Sequence, residues 1–298
     1  MKEFEFKKID AFATAHSTGN PAGYIKLHSK DSITENEMLR IARELKGFVS
    51  EVGYAYADDE DIVHLKYYSS EREVEFCGHA TIAIMYDIIK NTDSFFNKRE
   101  ITIENNKGRL SVENMISTND AVFIMSPLPE FLNTQFTKVD IAAALDIDTS
   151  TISGKYPISL INAGLNTLLV PIELLESALS INPDMNTLKK FCQDKKIDII
   201  EIFCGEVYGS TSNFRTRVFA PTFGYLEDPA TGSGNSAFGY YLMKLNIWDG
   251  NLLIIEQNGS LKNGNIVQLS TKPDMFGNTR VLFGGGAVTR LIGKYILI

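Results

Sequence analysis

The sequence is poor in whatever would announce a disulfide scaffold, a membrane span or a nucleic-acid surface. Cys77, Cys192 and Cys204 are its three cysteines in 298 residues. They are too few and too scattered for a disulfide framework, so a reducing cytoplasm is the expected compartment. No apolar run approaches the ~20 residues of a membrane helix. The first residues, Met1 to Phe6, read as a strand and lack the apolar core of a signal peptide. No basic run occurs, and the net charge of −8 argues against a nucleic-acid partner. The four histidines, His16, His28, His64 and His79, show no ligand spacing with the cysteines, so no metal is expected. There is no phosphate-loop lysine motif, and Gly284-Gly285-Gly286 lacks the context of a dinucleotide fingerprint, so no organic cofactor is expected. What remains is 44% apolar and 22% charged, the composition of an ordinary soluble globular protein long enough for one large core or two medium ones.

Two short blocks carry most of the information. Cys77-Gly78-His79-Ala80-Thr81 and Asp228-Pro229-Ala230-Thr231-Gly232-Ser233 are small-residue turns, each opening an apolar helical segment. Gly78 and Gly232 lie 154 residues apart, close to half the chain. Other pieces repeat at a similar offset. Gly19-Asn20-Pro21-Ala22-Gly23 matches the place of Gly164-Leu165-Asn166-Thr167, and Tyr67-Tyr68-Ser69-Ser70 that of Val218-Phe219-Ala220-Pro221. The chain therefore reads as two copies of one design. A helix start offers unpaired N–H groups and the positive end of the dipole, a ready cradle for an anion. Two helix starts facing one cleft would suit a small carboxylate.

Along the chain, Glu3 to Phe12 and Gly23 to Leu27 are expected strands. Thr34 with Glu37 makes a capping box for a helix bearing Met38, Ile41, Ala42 and Leu45, with Gly47 closing it. Ser50 to Tyr56 and Ile62 to Tyr68 read as strands. Gly78 to Lys90 is apolar on every face, the mark of a buried helix. Strands follow at 101–104, 109–113 and 121–125, and Ser126-Pro127-Leu128-Pro129 is the best linker. The second half repeats the order: helices over 139–145 and 186–195, strands over 168–171, 197–207 and 214–219, and a second apolar helix over 232–245. Strands over 252–256, 266–270 and 280–283 close it. Gly284-Gly285-Gly286 reads as a hinge or tight turn, and Ala287 to Ile298 as a terminal strand pair. The expectation is an α+β fold of two similar pseudo-symmetric lobes, each a mostly antiparallel β-barrel around a central helix. The first lobe spans residues 1–127 with 286–298 crossing back, and the second 128–285.

Several residues have chemistry to offer, each with a plainer role beside it. His79 at a helix start should be neutral, able to donate or accept a proton, or else it merely caps the helix. Asp228 is a site carboxylate or a turn residue before Pro229. Ser233 is a substrate ligand, a helix-start hydrogen-bonder, or both. Glu51 interrupts a strand-like apolar run. It faces solvent, or it points into a cleft where burial would raise its pKa toward that of a general acid/base. Cys77 reads as a small buried residue rather than a nucleophile, because Thr231 stands where a second thiol would be needed.

With these residues in view the chain resembles the PhzF family of phenazine-biosynthesis isomerases. The match runs in order over nearly the whole length: Asp10-Ala11-Phe12, Gly19-Asn20-Pro21-Ala22, Ser50-Glu51, Glu73 to Thr81, Arg217 to Pro221, Glu227 to Gly234, and Gly285-Gly286-Ala287-Val288. The resemblance implies the fold of diaminopimelate epimerase, with the active site in the cleft between two lobes. It implies that Glu51 is the general acid/base, with His79 and Asp228 acting beside it. Asn20, Gly78, Gly232 and Ser233 would then bind substrate. The founding member moves a proton between ring carbons of a dihydro-hydroxyanthranilate, and most relatives have no assigned substrate. This chain departs from the family at Gly264-Asn265-Ile266, where a Gly-Arg-Pro-Ser run would follow Glu256-Gln257.

The leading expectation is thus a cofactor-independent isomerase of a small carboxylate, open-chain or cyclic. A Cys77-based racemase or epimerase and a non-catalytic small-ligand binder stand as alternatives. The partners expected are the substrate alone, without nucleic acid or membrane, and a homodimer is an assembly this reading allows.

Overall fold

The computed structural model describes residues 1–134 and 136–298. It divides into two compact units, Met1–Met125 with Gly284–Ile298, and Ser126–Phe283.

In the first unit Lys2–Ala11 lies antiparallel to Asn20–Lys26 on one side and to the closing strand Ala287–Leu297 on the other. The helix Glu35–Glu44 then carries the chain over to Glu51–Ala57, which pairs parallel with Asn20–Lys26. That helix starts where the sequence dictates. Thr34 accepts from Glu37 N–H while the Glu37 carboxylate accepts from Thr34 N–H at 2.8 Å, and Met38, Ile41 and Ala42 form its buried face. Val63–Tyr68 follows antiparallel, pairs parallel with Glu100–Asn105, and leads through Gly108–Met115 to Ala121–Met125. The central helix, Gly78–Lys90, touches strands from both ends of this order, Lys2–Ala11 and Ala121–Met125, so the sheet curls around it. Residues from Ala80 to Asp87 are buried without a break, as an all-round apolar sequence requires.

The second unit repeats the plan. Asn166–Pro171 runs parallel to Ile199–Cys204, which is antiparallel to Phe214–Phe219, and that strand in turn runs parallel to Leu253–Gln257. The two parallel pairings fall at the same places as in the first unit. Its central helix, Gly232–Lys244, is buried from Gly234 to Leu242. The residues capping the two central helices, Cys77 (φ −129°, ψ 107°) and Thr231 (φ −127°, ψ 108°), have the same backbone conformation. Behind each cap the same bond recurs: Thr81 Oγ1 donates to Cys77 O at 2.7 Å, and Asn235 Nδ2 donates to Thr231 O at 2.9 Å.

Two local expectations are corrected. Gly284 and Gly285 are not a hinge but the end of the strand Thr279–Gly285. Glycine is needed there for close approach, since a Cβ on Gly284 would overlap Val122 O and the Phe123 ring. Nor is the C-terminus a strand pair: Ala287–Leu297 is one strand in register with Lys2–Ala11. Among the described residues no helix is long and apolar enough to cross a membrane.

Candidate active site

In the first unit three side chains from two sequence blocks converge. Glu51 is the first residue of its strand, held in register with Ala22 of the strand that Asn20 opens. Asn20 itself is buried. His79 is the second residue of the central helix, and its Nε2 lies 3.3 Å from Glu51 Oε2. Cys77 Sγ lies 3.5 Å from His79 Nδ1. Burial lowers the His79 pKa to about 4, so at neutral pH the ring is uncharged and its contact with Glu51 is no ion pair. The expected neutrality of His79 is present, and desolvation is its cause. The Glu51 side chain is about one-quarter exposed and the imidazole about one-eighth, and the Glu51 oxygen facing His79 is itself buried. The N–H groups of Gly78, His79 and Ala80 precede the first intrahelical bond, from Thr81 N to Cys77 O at 2.9 Å, and are left to other acceptors. The absence of ligand spacing between histidine and cysteine is corrected here. Folding brings Glu51, Cys77 and His79 ligand atoms within 4.8 Å of one another.

In the second unit Asp228 Oδ2 accepts from Thr231 Oγ1, so the carboxylate is tied to its own turn, and Ser233 is the second residue of the helix. Three amides that sequence reasoning passed over hold this turn. Gln257 Oε1 accepts from Thr231 N at 2.9 Å and from Asn235 Nδ2 at 2.7 Å, while Gln257 Nε2 donates to Asp228 O at 2.9 Å. Asn265 Nδ2 donates to Pro229 O at 2.7 Å. Gln257, Asn235 and Asn265 are all fully buried. Buried polar groups of this kind persist only when paired, so the network fixes the turn's conformation. The divergent segment at Gly264-Asn265-Ile266 thus supports the Asp228 turn from behind. The available signal was a glutamine and an asparagine beside runs that are otherwise apolar.

Sequence reasoning also missed Glu201, fully buried in the strand Ile199–Cys204, with neither carboxylate oxygen paired among the described residues. It packs beneath the second helix start, where a Cβ on Gly234 would overlap its Oε2. Burial holds its pKa well above the ordinary carboxylate range, so the folded protein keeps it protonated. Above about pH 4.5 the unfolded chain releases this proton while the folded protein retains it. Stability therefore falls as pH rises from there to the folded pKa, by at most about 1.4 kcal/mol per pH unit. Urea midpoints followed from about pH 5 upward should show that decline in the parent and a flatter profile in Glu201→Gln. Parallel profiles would mean Glu201 is ionised in the fold.

A cavity of about 470 Å³ in the first unit, lined by Met38, Tyr54, Tyr56, His64 and Lys66 among others, contains none of the predicted site residues. Two of its ionisable groups are committed to neighbours: His64 Nε2 lies 2.8 Å from Asp58 Oδ2, and Lys66 Nζ 2.6 Å from Glu35 Oε1.

Residues 9–293 match the family described as phenazine biosynthesis-like protein, PhzC-PhzF. The chain belongs to that family. An uncharacterized isomerase of Clostridium acetobutylicum is 25% identical over 304 residues, covering 100% of this chain and 99% of its own. The trans-2,3-dihydro-3-hydroxyanthranilate isomerase of Pseudomonas chlororaphis is 26% identical, covering 79% of this chain and 78% of its own. Among solved structures, a PhzF family protein of Bacillus anthracis matches with a TM-score of 0.87 at 22% identity, each chain covered in full. A hydroxyproline epimerase of Agrobacterium vitis matches at 0.60 and 12% identity, covering 99% of this chain and 91% of that one. The PhzF fold, shared in outline with such epimerases, is therefore the fold of this chain, and isomerase is the class that both of these curated relatives carry.

Proposed function

We propose that this chain is a cofactor-independent isomerase that moves a proton between carbons of a small carboxylate, with Glu51 as general acid/base. The observation that carries the reading is the Glu51–His79 pair at the start of the buried helix Gly78–Lys90. In this mechanism the Glu51 carboxylate takes a proton from a carbon acid, and the electron pair spreads into a conjugated system. The same carboxyl then returns the proton to a second carbon. The change is redox-neutral, so its balance needs no electron acceptor. The neutral His79 ring donates to the developing charge without adding a cation, and the first-turn amides of Gly78 and His79 supply further donors. In the second unit, taken by itself, Gly232 and Ser233 at the helix start offer a turn that binds a carboxylate, and Asp228 an acceptor for an amine or hydroxyl. Family membership and the isomerases among the relatives support this reading.

The test is solvent-deuterium incorporation into unsaturated or hydroxylated cyclic carboxylic acids. The reading expects deuterium in at least one substrate, at the carbon that receives the returned proton. Tight binding of such acids with no exchange would favour a ligand-binding protein. The Cys77–His79 contact favours one further reading, a thiol base. Thr231, the matching cap, carries a hydroxyl bonded to Asp228, so a two-thiol racemase lacks its second base. Cys77→Ser is expected to retain most of the exchange activity.

A further inference from the structure

The convergence of a thiol, an imidazole and a carboxylate has a consequence apart from proton transfer. We propose that Glu51, Cys77 and His79 form a binding site for a borderline-soft divalent cation such as Zn²⁺, and that the cation inhibits the enzyme by occupying its general base. The inhibitory half of the proposal rests on the isomerase reading; the binding half does not.

Geometry carries the argument. Zinc takes a cysteine sulfur at about 2.3 Å and histidine nitrogen or carboxylate oxygen at about 2.0–2.2 Å, tetrahedrally. Such an ion holds neighbouring nitrogen and oxygen ligands ~3.4 Å apart, and sulfur and nitrogen ~3.6 Å apart. His79 Nε2 and Glu51 Oε2 are 3.3 Å apart, and Cys77 Sγ and His79 Nε2 4.0 Å. The first spacing already fits, and the second closes with a shift of a few tenths of an ångström. Two of the three ligands, Cys77 and His79, are fixed by the cap and first turn of one helix, and the third by the start of a strand. Three protein ligands leave a fourth position for water or a ligand carboxylate, the arrangement of an open zinc site.

Charge and proton balance agree. Binding converts the Cys77 thiol to a thiolate, and its proton passes to the buffer. One thiolate, one carboxylate and a neutral imidazole then cancel the dipositive ion, so the occupied, half-buried site carries no net charge. Harder ions such as Mg²⁺ would gain little from a sulfur ligand and prefer their waters. The occupied carboxylate could no longer take a proton from carbon.

Metal-free protein titrated with Co²⁺ decides the binding half without any substrate. The expected result is one equivalent bound, with a thiolate-to-cobalt charge-transfer band and the visible bands of a four-coordinate ion, displaced by Zn²⁺ with release of about one proton. Cys77→Ser should abolish the charge-transfer band and weaken Zn²⁺ binding at least ~10²-fold, more than the loss of a supporting contact costs. Cys192→Ser and Cys204→Ser should keep the band. No thiolate band in the parent protein, or a band surviving in Cys77→Ser, would overturn the site. In the exchange assay Zn²⁺ should inhibit with the constant measured for binding, and a chelator should reverse it. Binding without inhibition would overturn the inhibitory half. If no substrate shows exchange, the isomerase reading fails while the cobalt titration still decides the site.

Discussion

Glu51→Gln is expected to lower the rate of proton exchange by about 10²–10⁴-fold, the contribution of a positioned general acid/base. The change is small in every other respect. Glutamine matches the side chain in size, its amide can still meet His79 Nε2, and the strand register with Ala22 does not involve it. Substrate binding and the urea midpoint should therefore stay close to those of the parent, and the loss should appear in kcat with KM little altered. That split marks an interaction used in the transition state and not in ground-state binding. The neighbouring Cys77→Ser is the internal control, since it alters the same cluster without touching the carboxylate. The reverse order, with Cys77 essential and Glu51 dispensable, would replace the isomerase mechanism by thiol chemistry. A loss in Glu51→Gln accompanied by a lowered urea midpoint would instead mark Glu51 as structural.

The elements on which this site depends were legible for identifiable reasons. The helix Gly78–Lys90 was readable because apolar residues on all its faces leave burial as the only stable outcome. The helix after Thr34 was readable because a capping box is a purely local device. Gly232–Lys244 followed from the repeat. What escaped is tertiary in origin. Nothing near Gly284 in the sequence reveals the Val122 carbonyl against which it lies, so three glycines read as a turn where the chain is extended. Gln257 and Asn265 earn their place through acceptors in the Asp228–Thr231 turn, far off along the chain. Glu51 and Glu201 present the same local pattern, a carboxylate among strand residues. Only the fold separates them, leaving one beside an imidazole and the other in the core with no partner among the described residues. The Glu51–Cys77–His79 cluster combines both cases, with two ligands one residue apart in sequence and a third brought in by the sheet.

The largest loss of stability is expected from Arg215→Ala, at about 3–5 kcal/mol, the cost of removing one partner from a buried ion pair. Arg215 is 1% exposed, and the parallel register sets it directly beside Glu256. Its Nη2 donates to Glu256 Oε2 at 2.7 Å and to Leu261 O at 3.0 Å, and its Nη1 to Ser260 O at 2.9 Å and Asn258 O at 3.2 Å. One guanidinium thus anchors a strand and the loop that follows it. Alanine would leave Glu256, among the described residues, with only the N–H groups of Gly209 and Tyr208, and three carbonyls without their Arg215 donor. Urea denaturation of the single variants against Arg215→Met/Glu256→Leu separates charge from packing. The double replacement should be less destabilised than Arg215→Met alone, because no uncompensated carboxylate remains. Equal losses would assign the effect to the loop carbonyls. The loop runs between Gln257 and Asn265, the two amides that hold the Asp228 turn, so loosening it also reaches the second helix start. Arg215→Met should therefore weaken the binding of a small carboxylate at that helix start, read as a raised Kd beside the lowered urea midpoint.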